Sequence, residues 1–422
     1  MAELRYGHVV ACVDQDLDGK GNILGLLLSA FDVLWPNLLK AGFVQWACTP
    51  IIRAYPKTSG KVIAFYSISE YDAWAASAPV HKYIPKYYEG LGTHSRDETI
   101  SMFKTFNQHL YTYYVDDRSD ELFEIYFGRN PDLRKRELST PAKVLSAATQ
   151  AEQHSRRLIS CSDHLEHETR EYQVDNLSRK LDHVIDGQNQ SGRKVLDGLL
   201  KMLHNGKPLK VAQMAGYVSE HENYHHGEDS LGKTITGKGF VAVGGKQLPF
   251  LVPSSQFGTR LKGGDDAASP RYIHAHLNKN IVDLIFPPVD YWTLPFNFDE
   301  GERSEPTYFI PIIPMAILES TQIPAHGWLL KTWARDVFKV IDNVRRQIRM
   351  GDDVALPRAP PTTYKGSPFE WSGEIRTIRG EPYSFGRYTI DKEKGILVIT
   401  ELPLRVWNDT YLSALRKKQA EG

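Results

Sequence analysis

Apolar positions in this chain fall into short runs whose spacing changes along its length. Residues 8–13 (HVVACV) form a strand-type run, the acidic stretch DQDLDGKG follows, and residues 23–42 then read as an apolar helix. Strand, acidic loop and helix in that order open an α/β unit. Asp32 and Pro36 interrupt the helix, and a membrane span needs about 20 apolar residues without such breaks, so the pattern predicts a buried helix. Up to about residue 125 the chain alternates short strands with aromatic-rich turns, among them KYYEGLGTHSRDE. Between about 130 and 170 charged residues crowd without periodicity, which predicts exposed helix and connection.

A second unit starts near Asp175. Residues 193–204 carry a helical pattern, and PLKVAQMAGYVSEHENYHHGEDSLGKTITG reads as a helix-turn-helix with its turn at Gly216. A Gly-rich segment spans 255–270. From about 300 the pattern becomes short strands rich in Ile and Pro (YFIPIIPMAIL), a helix over 334–349, a Pro-rich loop over 357–368, and further strands. There are no internal repeats and no low-complexity tract.

Composition narrows the classes. The 422 residues predict two or three domains, and 41% hydrophobic content can bury their cores. Lys plus Arg and Asp plus Glu each total 51, so any nucleic-acid role rests on segregated charge and not on a basic chain overall. Three cysteines, Cys12, Cys48 and Cys161, form neither a disulfide framework nor a zinc spacing and fit a reducing, intracellular setting. No signal peptide opens the chain, and its start, running almost at once into a strand, reads as a cut inside a domain.

Two segments carry candidate chemistry. Asp14, Asp16 and Asp18 alternate, so in extended backbone their carboxylates leave on one face. Such a cluster repels itself unless a cation neutralises it, and hard oxygen ligands suit Mg²⁺. A calcium EF-hand would need Glu where Gly25 stands and a helix before the loop; a solvated acidic turn is the plain alternative. The second segment is QFGTRLKGGDDAASPRY, residues 256–272. Gly258, Gly263 and Gly264 let backbone approach a phosphate. Arg260 and Arg271 can clamp phosphate oxygens, and Tyr272 offers a phenol nucleophile. The same residues also fit a glycine loop around a packed tyrosine.

These blocks, VACVDQDLDG, YYEGLGT, GRKVL, KVAQMAGYVSEHENYHHGE, LVPSSQFGTRLKGGDDAASPRYI, LIFPP and YFIPIIP, occur in one order across residues 4–350. Together they resemble the type IIA DNA topoisomerases, in their eukaryotic-type topoisomerase II form. The divergence between blocks points to a large DNA virus of the African swine fever type as the source. The resemblance implies an α/β plus α+β multidomain chain. Its expected parts are the C-terminal part of a Toprim domain (1–125), a connecting segment (126–174), a winged-helix domain with the active tyrosine (175–295) and part of a tower-like domain (296–422). It implies DNA cleavage and religation through a 5′-phosphotyrosyl link, within ATP-dependent passage of one duplex through another. Tyr272 is then the nucleophile and Arg271 its neighbouring arginine. His225 and His226 line the cleavage site, and Asp14, Asp16 and Asp18 bind Mg²⁺. Arg193, Lys194, Gln256 and Arg260 contact or support DNA, and Ile323 wedges into a base step. The implied partners are double-stranded DNA and, in the full-length protein, a second copy; no membrane is involved. The implied site is intracellular, the host cytoplasm for a viral source and the nucleus for a cellular one.

Several departures qualify this. Glu89 stands where the family has Lys before GLGT, and Pro324 replaces a glycine in QIPAHGW. No EGDSA-like motif with the Toprim glutamate precedes Asp14, and the ATP-using domain is absent, so a fragment is expected. The alternative is therefore a DNA-binding and dimerisation module, inactive by itself. GEDSLGKT matches a P-loop letter for letter, but it lacks a preceding apolar strand and places Glu228 and Asp229 where a triphosphate would lie. Asp265 and Asp266 are expected to be structural.

Overall fold

The computed structural model describes residues 4–66, 68–88, 90–202, 206–299, 302–351, 355–364 and 370–421. The chain divides into two compact units, residues 1–177 with 324–328, and residues 178–323 with 329–422.

The first unit is built on a four-stranded mixed sheet. Strand Val9–Ala11 pairs in parallel with Val44–Ala47, which runs antiparallel to Leu110–Tyr114, which is parallel to Leu158–Ser160. Leu24, Leu28 and Phe31 from the helix after the acidic loop pack with Val44, Trp46, Tyr113 and Leu122. That helix is π-helical over Leu17–Leu24 and α-helical over Gly25–Leu34; it breaks at Trp35, and Pro36 opens a short second helix, Pro36–Lys40. Proline is favoured at a first helical position because it has no N–H to leave unpaired. Residues 126–174, read from the sequence as an exposed connection, instead supply strand Leu158–Ser160 and the buried Cys161, Leu165 and Tyr172. A smaller antiparallel sheet places Ile52–Pro56 between Ile63–Phe65 and Tyr83–Tyr87, over Ile52, Ala54, Phe65 and Trp74.

In the second unit, helices Gln190–Lys201, Val211–His221 and Glu228–Gly239 pack on a three-stranded antiparallel sheet. Its strands, in spatial order, are Leu209–Lys210, His274–Leu277 and Leu251–Pro253. This is the helix and sheet order of a winged helix, and Val195, Met214, Val218, Leu231 and Ile273 fill its core. The expected turn at Gly216 is not there: Val211–His221 is one continuous helix, and the chain turns at 222–227. A lone glycine costs a helix only about 1 kcal/mol, less than the burial of Met214, Ala215 and Val218 around it returns. A further core joins Phe250, Phe286, Phe309, Met315 and Val340. Val340 belongs to helix Val337–Met350, and two antiparallel hairpins follow over 374–401. No helix among the described residues is long and apolar enough to cross a membrane.

Candidate DNA-cleavage site

Tyr272 sits on a rigid backbone with an exposed side chain. Its N–H donates to Ser269 O at 2.9 Å, closing a tight turn. On either side, Ala212 N–H donates to Pro270 O and Val211 N–H to Ile273 O, both at 3.0 Å, and His274 pairs with Lys210 in the sheet. The first turn of helix Val211–His221 therefore holds the chain before and after the tyrosine, while the side chain is 73% exposed. Arg271 beside it is also exposed. A solvent-facing phenol on fixed backbone can reach a phosphate without rearranging the fold.

Helix Glu228–Gly239 links two blocks of the site. The loop carrying the exposed His225 and His226 leads into its first turn, and its Gly232 lies under the ring of Pro270. A Cβ at Gly232 would stand 2.9 Å from Pro270 Cγ, so glycine is needed there for close approach. Arg179 Nη1 donates to His226 Nε2 at 2.9 Å. Since arginine can only donate, that bond leaves the neutral ring with its proton on Nδ1. Residues 227–234, the P-loop look-alike, begin this helix, so Gly232 and Lys233 are helical and form no phosphate loop.

The glycines of the tyrosine segment serve the loop's own packing. Gly258 and Gly264 have φ of +100° and +97°, and a Cβ on Gly258 would fall 2.5 Å from Gly264 Cα. A Cβ on Gly263 would run into the Trp407 ring. Asp266 fastens the loop by accepting from Thr259 N at 2.8 Å and Thr259 Oγ1 at 2.6 Å, bonds that lower its carboxyl. Gln256 is exposed and its carbonyl accepts from Ala268 N at 3.1 Å, while Phe257 is buried as the loop's anchor. Arg260 is ion-paired with Glu401.

The GRKVL pair is buried. Arg193 and Lys194 are each only 6% exposed. Arg193 donates to Gln188 O at 2.8 Å and stands 3.5 Å from Asp186. Lys194 donates to Glu222 O at 2.5 Å and Ser304 Oγ at 2.9 Å, and pairs with Glu305 at 2.7 Å. Both charges are paired inside the unit in this structure. Ile323 is half-buried in strand Gln322–Ala325, which continues through Pro324 and pairs with Trp328–Lys331 in a two-stranded sheet.

In the first unit, Asp16 caps the helix after the acidic loop, accepting from Gly19 N at 2.6 Å. Burial raises its carboxyl, the Gly19 bond lowers it, and the charges of Asp18 and Asp14 raise it further. A Cβ at Gly90 would stand 2.8 Å from the Asp14 carboxylate, so the fold brings the GLGT block against the acidic loop and keeps space at that carboxylate. Mutual repulsion, hard oxygen donors and open space all fit a divalent cation. Among the described residues no group of three or more His, Cys, Asp or Glu is placed to hold a metal. Mg²⁺ keeps several waters and takes one or two carboxylates plus phosphate, so it would not need all three aspartates.

The sequence did not signal what braces GLGT. Tyr55, Tyr88 and Lys86 all converge on Glu98, with Tyr88 Oη at 2.6 Å and Lys86 Nζ at 3.1 Å. Burial alone would raise that carboxyl, but the bonds from the tyrosines, Ser95 and Lys86 hold it well below the usual range. Glu89 lies outside the described residues.

The second unit is thus a winged helix presenting an exposed tyrosine, and the first carries an acidic loop between a strand and a helix. Residues 179–422 match the family model of the DNA gyrase and topoisomerase IV A-type polypeptides, and residues 47–177 match that of the C-terminal associated domain of TOPRIM. The chain belongs to the type II DNA topoisomerase family. It is 39% identical over 432 residues to DNA topoisomerase 2 of African swine fever virus, covering 99% of this chain and 36% of that protein. It is 34% identical over 436 residues to human DNA topoisomerase 2-alpha, covering 99% of this chain and 27% of that one. The topoisomerase II DNA-binding, cleavage and re-ligation domain of Plasmodium falciparum superposes with a TM-score of 0.78 at 30% identity, covering 98% of this chain and 55% of that one. The chain thus spans about a third of the length of the viral relative.

Proposed function

We propose that this chain is the DNA cleavage and religation core of an ATP-dependent type IIA topoisomerase, acting as a homodimer in the full-length protein. The observation that carries the proposal is the exposed Tyr272 on backbone fixed from both sides. Tyr272 Oη attacks a backbone phosphorus and loses its proton as the O–P bond forms. The bond from phosphorus to the 3′ oxygen breaks, and that oxygen leaves to become a 3′ hydroxyl. Attack by the same hydroxyl on the phosphotyrosine reverses the step and reseals the strand, so bond energy is conserved without a co-reactant.

Arg271, His225 and His226 donate to the phosphate oxygens and offset the charge that grows there. Arg260 and Gln256 support the loop that carries the tyrosine. Asp14, Asp16 and Asp18 would hold Mg²⁺ in part, and the ion would supply Lewis-acid stabilisation of the leaving oxygen. Ile323 wedges a base step, a few kcal/mol offset by contacts along the bent duplex. On this reading the Toprim part (1–125), the winged helix (175–295) and the tower-like part (296–422) divide the work, with residues 126–174 completing the first sheet. Type II topoisomerases work where DNA is replicated, so the site of action is the host cytoplasm for a viral source.

The second reading is a DNA-binding and dimerisation module without cleavage by itself, since no EGDSA-like motif with the Toprim glutamate stands before Asp14 in these residues. Trapping distinguishes them. The chain, extended upstream to include the Toprim glutamate, is mixed with end-labelled duplex and Mg²⁺ and quenched with SDS. A labelled adduct that disappears in Tyr272→Phe establishes the chemistry. An adduct that survives means another nucleophile, and firm binding without adduct supports the module.

A further inference from the structure

The first unit contains a cavity of about 360 Å³ that none of the chemistry above uses. Binding pockets for small molecules span roughly 300–1,000 Å³, apolar with a few convergent polar groups. This one fits that description. Val62, Met102, Phe103 and Phe106 give it apolar walls, with Phe103 and Phe106 stacked at 5.2 Å. Its polar contribution is Arg53, His94 and His109 with hydroxyls from Tyr66 and several Ser and Thr residues, and among the described residues no Asp or Glu lines it.

Two of those polar groups are buried without a hydrogen-bond partner, Arg53 Nε and His94 Nδ1. The His94 side chain is 2% exposed and is held in place by stacking on Tyr88 at 4.2 Å between ring centres, with the Glu98 carboxylate 3.9 Å from Nδ1, beyond hydrogen-bond reach. The Arg53 guanidinium lies 5.9 Å from the same ring. Among the described residues Arg53 has no carboxylate partner within ion-pair distance. A buried polar atom without a partner costs about 1–3 kcal/mol, more near a charge. Burial and the Arg53 charge push the His94 ring's pKa down against the pull of Glu98, and burial with the charges of Arg157, Arg53 and His154 pushes that of His109 down. The cavity is thus a pocket with the Arg53 cation, two imidazole rings with N–H groups able to donate, and aromatic walls.

We propose that this cavity binds a small oxyanion carried on an aromatic ring system, of about the size of a nucleoside monophosphate. The oxyanion meets Arg53 Nε and His94 Nδ1, with His109 beside them, and the ring lies against Phe106 and Met102. Binding satisfies both orphaned donors and neutralises Arg53, which is why the class is an anion with an apolar body and neither inorganic phosphate nor a neutral aromatic.

The test is calorimetric titration of the intact chain with 5′-dTMP, with thymidine and inorganic phosphate as the ring-only and anion-only probes. Saturable binding of 5′-dTMP at one site, with both partial probes at least about tenfold weaker, is the expected result. Arg53→Gln should weaken 5′-dTMP binding roughly 10- to 100-fold, the usual loss for a charge-assisted hydrogen bond. Val62→Trp, at a partly exposed wall position, should block the pocket by volume with the thermal melt unchanged, and serves if Arg53→Gln proves unfolded. No saturable binding, equal binding of phosphate alone, or binding indifferent to both substitutions overturns the proposal. So does a short duplex that displaces the probe while a single nucleotide fails to bind, since that makes Arg53 a DNA backbone contact.

Discussion

Lys194 offers the sharpest separation of a DNA contact from a structural cation. Its ammonium is buried and holds Glu222 O, Ser304 Oγ and Glu305, and Glu305 is itself fully buried. Burial alone would raise the Glu305 carboxyl, but Lys194, Ser304 and Asn297 hold it below its ordinary value. In Lys194→Ala that carboxylate stays buried and loses its counter-charge. Removing one partner of a buried pair costs about 3–5 kcal/mol. With a urea m-value near 3 kcal/mol/M, the transition of the second unit should move down by roughly 1–2 M. Lys194→Met combined with Glu305→Gln should recover part of the loss, because the lone charge and not the missing pair carries most of the cost. DNA binding tells the same story from the other side. Each phosphate contact contributes about 0.9 to the slope of log K against log salt. In conditions where Lys194→Ala is folded, its slope should equal that of the parent chain. An unchanged urea midpoint together with a slope smaller by about one would refute the structural role and restore the DNA contact.

Three further outcomes follow from other contacts. Gly232→Val drives a side chain into Pro270. It should cut SDS-trapped adduct at least about tenfold, as misplacement of a reacting group near 1 Å does, with DNA affinity retained; full adduct yield would show the tyrosine loop does not depend on that contact. Glu222 is buried, and burial with the neighbouring Asp197 pushes its carboxyl up to about 7 against the pull of Lys201. A raised acid favours the folded state fully below its unfolded value near 4.3 and loses that contribution as pH rises through 7. Glu222→Gln should therefore gain stability relative to the parent chain between pH 5 and 8 in urea titrations, and a gap independent of pH would count against it. Asp16→Asn keeps an oxygen for the Gly19 N–H but removes one of three mutually repelling charges. Mg²⁺ should raise the melting temperature of the parent chain, as any ligand of the folded state does, and leave Asp16→Asn unmoved; equal responses would place the ion elsewhere.

Local pattern and local chemistry were legible in the chain itself. The run 8–13, the acidic loop and the helix after it needed only alternation, charge and periodicity to be read, and the structure has them in that order. The tyrosine segment was recognisable by residue type, because Gly, Arg, Pro and Tyr in close sequence carry their phosphate chemistry with them. What the glycines are for was not legible. Gly263 is explained by the Trp407 ring and Gly232 by the Pro270 ring, partners that no local pattern names.

Similar limits explain the misread segments. Residues 126–174 look like surface because their strand, Leu158–Ser160, is three residues long and exists only beside Leu110–Tyr114. Gly216 reads as a turn in isolation but is carried through a helix by the buried face around it. Charge was the least legible property of all. The sequence by itself determined where positive residues stand, which elements they ride on and which family they belong to. Only the tertiary structure decided that Arg193 and Lys194 face Asp186 and Glu305 while Arg271 faces solvent. A cation reads the same in sequence whichever way it points, and its partner is chosen by desolvation and by contacts made far along the chain.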